Sequence, residues 1–155
     1  MSTAALTPSL SHLAIGLGDG TLLLYRHLSQ SLSPASPLTS LPKPKILLDS
    51  SQEPITGLVF RERTLDIHLW VVTTVKVMVG HVSGKRSGGE LRVLDEFGAG
   101  LGCVKAMEAG GEGREGGMVL ARDEAVYLYG TEARGMSYAY EGRSRSPLSM
   151  QTILS

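Results

Sequence analysis

Residues 69–80 read LWVVTTVKVMVG: two short apolar runs, Leu69–Thr74 and the start of Val75–Val82 (VKVMVGHV), joined with almost no spacer. Val, Ile, Thr and aromatic side chains are the types that fit a pleated surface. The runs are nearly continuous in hydrophobicity, as expected of strands packed on both faces. Two other stretches share the form of apolar run, short polar turn, apolar run: LAIGLGDGTLLLY at 13–25 and MVLARDEAVYLYG at 118–130. The first residues of the three hairpins are 56 and 49 positions apart. Further strands begin near Lys45, Leu91 and Met136, at offsets of 46 and 45. Another strand precedes the second and third hairpins, at Ile55 and Val104, again 49 apart.

Four strands recurring at this interval are the mark of β-propeller blades. A two-sheet sandwich is the competing architecture, but its strands alternate more cleanly and recur every ~8–12 residues. No window of about 11 or more residues keeps helical spacing of apolar side chains. The expected fold is therefore all-β, a partial β-propeller of about three four-stranded antiparallel blades. These fall at about 12–49, 55–96 and 103–140, the first lacking its opening strand. Residues 1–11 are expected to be a disordered N-terminus, 12–142 the propeller and 143–155 a disordered tail. A Ser/Pro-rich loop over 29–44, with Pro34, Pro37 and Pro42, interrupts the first blade. Propellers close with about four to eight blades. Three blades would leave apolar faces open at both ends, so the length points to a piece of a larger ring.

Composition excludes several function classes. The 15 Lys+Arg balance the 15 Asp+Glu, which leaves no basic footprint for nucleic acid. One cysteine cannot build an intrachain disulfide framework, and the absence of Asn removes any N-glycosylation sequon. The first twenty residues lack a basic n-region and are broken by Pro8 and His12, so they do not read as a secretory signal. No apolar run approaches the ~18 residues that span a bilayer. A cytoplasmic chain is expected.

The chemistry-bearing residues have plain structural readings. Gly16, Gly18 and Gly20, like Gly98, Gly100 and Gly102, are spaced GxGxG, and neither set opens a helix that could cradle a phosphate. They read as turns. His12, His27, His68 and His81 are scattered without metal-ligand spacing. Cys103 reads as a small filler at a strand start. Asp123 and Glu124, beside Arg122, read as hairpin-turn residues, although paired carboxylates can do acid–base work. Arg143 and Arg145, with Ser144 and Ser146, fall in the tail. A propeller hydrolase would need several carboxylates converging on the channel, and only Glu108 stands near a first strand. No catalytic, cofactor-binding or metal residues are assigned, and the chain is expected not to be an enzyme.

The segments LAIGLGDGTLLLYR (13–26), EPITGLVF (53–60), LDEFGAGLGC (94–103) and MVLARDEAVYLYGTEARGMSYAYEG (118–142), taken in order, carry a resemblance. They are similar to the amino-terminal propeller of the vacuolar protein sorting-associated protein eleven family, with truncation at both ends. That resemblance implies a shared core subunit of the HOPS and CORVET complexes, which tether endosomes and vacuoles or lysosomes before fusion. It also implies partners among the other tethering subunits and indirect membrane association on the cytosolic face of late endosomes and vacuoles. Neither nucleic acid nor a small-molecule substrate is implied. The family's α-solenoid and RING-type zinc domain have no counterpart here, because one cysteine cannot build the RING; zinc binding is not carried over. The alternative is an unrelated WD-repeat-like scaffold, against which Trp70 is followed by Val71 and no blade carries Trp-Asp.

Overall fold

The computed structural model describes residues 3–31, 42–64, 66–83, 89–109, 117–123, 125–131 and 134–139. Among the described residues, twelve strands form three four-stranded antiparallel sheets, each built from four consecutive strands in sequence order. Blade 1 comprises β1 (Thr3–Leu6), β2 (His12–Gly16), β3 (Leu22–Arg26) and β4 (Lys45–Leu48). Blade 2 comprises β5 (Ile55–Arg63), β6 (Asp66–Thr73), β7 (Val77–His81) and β8 (Leu91–Asp95). Blade 3 comprises β9 (Cys103–Ala109), β10 (Gly117–Arg122), β11 (Ala125–Tyr129) and β12 (Arg134–Ala139). A single turn of helix, α1 (Leu28–Ser31), follows β3.

The first strands of successive sheets lie together, β1 beside β5 and β5 beside β9. Sheets that meet through their first strands are blades arranged about an axis, so the chain is a partial propeller. Alternation within β6 shows how the middle blade is held. Leu69 and Val71 join Leu58, Phe60 and Met78 in a cluster against Ala14, Leu22 and Leu24 of blade 1. Trp70 and Val72, interleaved with them, join Val59, Val77 and Val79 against Met118, Leu120 and Tyr129 of blade 3. A period of two with both faces covered gives the unbroken apolar run of the sequence.

The opening blade differs from the sequence reading. Thr3–Leu6 pairs in full register with β2, Thr3 opposite Gly16 and Leu6 opposite Leu13. Blade 1 is therefore complete, and the segment expected to be a disordered N-terminus supplies its first strand. The physical reason is the edge of β2, whose backbone groups need partners next to β5. Thr7 closes the β1–β2 connection: its hydroxyl accepts from the amides of Ser11, at 3.0 Å, and His12, at 2.9 Å. Of the Ser/Pro-rich loop, 32–41 lies outside the described residues, as does the whole of the tail at 143–155.

Candidate interaction surfaces

Polar contacts gather at the rims of the junctions between blades. At the first junction Ser9 donates its amide to Glu62 Oε2 at 2.8 Å, and its hydroxyl also donates to that carboxylate. Ser11 joins from 3.4 Å, so the β1–β2 connection is fastened to the end of β5. These donors pull the Glu62 carboxyl below its usual value although desolvation opposes them. At the turn after β6, Thr73 Oγ1 accepts from the Lys76 amide at 2.8 Å and donates to Glu53 Oε2 at 3.1 Å. Lys76 Nζ completes the link to Glu53 Oε1 at 2.9 Å.

At the end of blade 2 where β6 begins and β7 stops, Asp66 holds two imidazoles. His68 Nδ1 lies 3.2 Å from one carboxylate oxygen and His81 Nε2 lies 2.6 Å from the other. The rings stand 5.4 Å apart, edge to face. They border an open cavity of about 220 Å³ that Glu90, Arg92 and Thr131 also line. Arg92 donates to the Thr131 carbonyl and so bridges blades 2 and 3 across this cavity. Among the described residues no group of three or more His, Cys, Asp or Glu is placed to hold a metal ion.

The residues singled out in the sequence are dispersed by the fold. Gly20 turns the β2–β3 hairpin at φ +86, and Asp19 Oδ1 accepts from the Thr21 amide at 2.9 Å. Gly16 permits close approach to blade 2, since a Cβ there would meet Ile55 Cγ2 at 2.5 Å. Gly98 and Gly102 take positive φ in the β8–β9 connection, while Gly100 presses against the Thr73 carbonyl. His12 sits at the first junction beside Phe60, and burial, reinforced by Arg26 and His27, lowers its pKa. His27 is exposed at positive φ. Of the four histidines, only His68 and His81 come together. Cys103 opens β9 half-buried, and desolvation pushes its thiol up, away from a thiolate. Asp123 is exposed in the β10–β11 turn, Arg122 lies over the Tyr127 ring at 5.4 Å, and Glu108 is exposed on β9. Glu124, Arg143 and Arg145 lie outside the described residues.

Sequence reasoning passed over the exposed apolar side chains of the β8–β9 connection. Phe97 is 98% exposed and holds φ +59, a conformation rare for a bulky side chain. Leu101, in the same connection, and Val104, at the start of β9, are also exposed. An aromatic residue inside the glycine-rich run DEFGAGLG was the available signal. The outer sheet faces of blades 1 and 3 add Leu6, Ile46 and Met107 to the exposed apolar side chains. Apolar patches of this kind mark sites of protein association.

A family model described as PEP5/VPS11 N-terminal matches residues 1–154. The chain belongs to this family. Its curated relatives include proteins named vacuolar protein sorting-associated protein 11 homolog from Mus musculus and Homo sapiens. Each is 35% identical over 136 residues, a match covering 86% of this chain and 13% of the relative. A protein of the same name from Dictyostelium discoideum is 26% identical over 144 residues, covering 88% of this chain and 13% of that protein. The chain thus spans about an eighth of the length of the curated relatives it matches. Membership in the PEP5/VPS11 N-terminal family replaces the unrelated WD-repeat-like scaffold as the reading of this propeller.

Proposed function

We propose that this chain is a non-enzymatic protein-interaction module of a vacuolar protein sorting subunit. The finer reading is a core subunit of the HOPS and CORVET tethering complexes, acting in vesicle docking and fusion and in intracellular protein transport. The match of the family model to residues 1–154 carries the reading. The blades hold their polar groups in structural ties between strands and leave apolar faces for association, which suits a scaffold. Membrane association is indirect, through the assembled complex on the cytosolic face of late endosomes and vacuoles or lysosomes. No helix among the described residues is long and apolar enough to cross a membrane.

Affinity purification of the tagged protein from its own cells is expected to recover the other tethering subunits. Recovery of none, where a tagged known subunit retrieves its complex in parallel, overturns the reading.

A further inference from the structure

We propose that the end of the blades carrying the β8–β9 connection is a docking surface for a second protein. That partner presents an apolar pocket rimmed by Lys and Arg, and Phe97 fills it. The inference names a surface and the chemistry of its partner, and it holds whichever complex the chain serves.

Backbone hydrogen bonds make this end one continuous frame. The Gln52 amide of the β4–β5 connection donates to the Asp19 carbonyl of the β2–β3 turn at 3.0 Å. The Thr74 amide at the β6–β7 turn donates to the Pro54 carbonyl at 3.1 Å. The β8–β9 connection is fixed in turn, because the Gly98 and Ala99 amides both donate to the Val75 carbonyl at 3.0 Å. The β10–β11 turn borders it, since Arg122 pairs with Cys103. The connection links two blades packed on each other, so this surface is separate from the outer sheet faces of blades 1 and 3.

Phe97 stands on that frame at φ +59 with its ring almost wholly in solvent. A bulky residue keeps such a conformation only where its surroundings impose it, and the two bonds to Val75 do so. The ring gains no burial within the chain in return, so its use lies in a contact made outside. Val75 and Leu101, 36% and 59% exposed, flank it. Val75 lies under the two amide bonds, and the Leu101 amide donates to the Gly98 carbonyl at 2.9 Å. An aromatic knob with apolar flanks on a rigid turn fits a concavity in a partner, where such anchors supply most of the binding energy.

Charge selects the partner. Asp19, Asp49, Glu53, Asp95, Glu96 and Asp123 lie at this end. Among the described residues they outnumber the cations there, Lys76, Lys105 and Arg122. Lys76 is engaged by Glu53 at 2.9 Å, and Arg122 lies over the Tyr127 ring. The opposite end is richer in cations, among them Arg26, Lys43, Lys45 and Arg63. Balanced net charge thus conceals an uneven distribution. A carboxylate rim around Phe97 opposes anionic lipid headgroups and nucleic-acid phosphates, and it complements a basic protein surface.

Cys103 is the chain's one cysteine, so a Cys103→Ser chain carrying Phe97→Cys accepts a thiol-reactive benzophenone at position 97 alone. Irradiated in an extract of the protein's own cells, the labelled chain is expected to crosslink within an apolar depression of another protein, flanked by Lys and Arg. The same label on Leu10→Cys, exposed at the opposite end, is expected to miss that position. The captured protein is then purified and titrated against unlabelled variants. Phe97→Ser is expected to weaken binding about 30-fold, as for a central anchor. Glu96→Lys combined with Asp123→Lys is expected to weaken it about 10-fold, a loss that shrinks in high salt. Both changes fall at exposed positions, so the fold is retained. A crosslink shared with the Leu10 label, or none, overturns the proposal. So does capture of a second copy of this chain, of lipid, or of an acidic or uncharged surface. Undiminished binding by Phe97→Ser overturns it as well.

Discussion

The two junctions of blade 2 are made by the same strands and held by different means. Against blade 1 the contact is aliphatic: Leu58, Leu69 and Val71 meet Ala14, Leu22 and Leu24, with Phe60 at one side. Its polar ties lie at the rim, where Ser9 and Ser11 reach Glu62. Against blade 3 the contact centres on Trp70 and Tyr129, both fully buried. Each aromatic also carries a polar group across the junction. Trp70 Nε1 donates to the Gly130 carbonyl at 3.4 Å, and the Tyr129 hydroxyl donates to Asp95 Oδ2 at 2.9 Å. Aromatic side chains combine large buried area with one directional handle. The first junction thus spreads its stability over many small contacts, and the second concentrates it in two.

Truncating one anchor should separate the junctions most strongly. Trp70→Ala is expected to cost about 3–5 kcal/mol, the range for emptying a buried aromatic site. Hydrogen exchange should then show β9–β11 losing protection before β2 and β3, because the cavity opens on blade 3 alone. Uniform loss across all three blades would show that the junctions unfold as one unit and remove the contrast.

The first junction is more easily broken by adding volume than by removing it. Gly16→Ala would set a Cβ 2.5 Å from Ile55 Cγ2 and 2.8 Å from Ile55 Cβ. Ile55 is itself buried at the start of β5, so the blades must move apart, at about 1–3 kcal/mol. Chemical denaturation measures this. A cost below a few tenths of a kcal/mol would mean that blade 1 already has slack against blade 2.

Tyr129→Phe removes one bond of the second junction and keeps the ring. The expected loss is about 1.5–3 kcal/mol, since the acceptor is a carboxylate. Asp95→Asn retains an acceptor and should lose less. Equal losses in the two variants would assign the effect to the charge of Asp95 rather than to the hydrogen bond.

The hairpins, their order and the middle blade's double burial were legible because apolar runs and Asp-Gly punctuation are local signals. β1 was not, since Thr3–Leu6 is four residues of modest β-propensity followed by Pro8, and only pairing with β2 makes it a strand. β9 was legible by repeat spacing more than by pattern, as exposed Lys105 and Glu108 dilute its apolar residues. The Trp70–Gly130 bond joins positions 60 apart, and the convergence of His68 and His81 on Asp66 depends on β6–β7 register. Nothing local announces either. The open faces were legible only as a consequence of blade count. Their residues read like those of any buried strand, because burial by a neighbour and exposure without one demand the same sequence.

The smallest expected effect tests whether the first junction senses pH while the second does not. His12 lies there against Phe60, with Ser11 Oγ 2.8 Å from Nδ1. Burial lowers its pKa from 6.5, Arg26 and His27 push the same way, and Glu62 pulls weakly back. The folded state then binds the His12 proton less readily than the unfolded state does. Stability from neutral His12 is complete above 6.5 and is lost as pH falls below that value toward the folded pKa. Wild type should therefore lose more thermal stability between about pH 7.5 and 5.5 than His12→Gln does. The protonated ring would face Arg26 and His27, so hydrogen exchange at pH 5.5 should show the loosening at β1–β2 rather than at β10–β11. A His12→Gln variant with the same pH dependence as wild type would assign the acid sensitivity to another group and leave the two junctions equal in this respect.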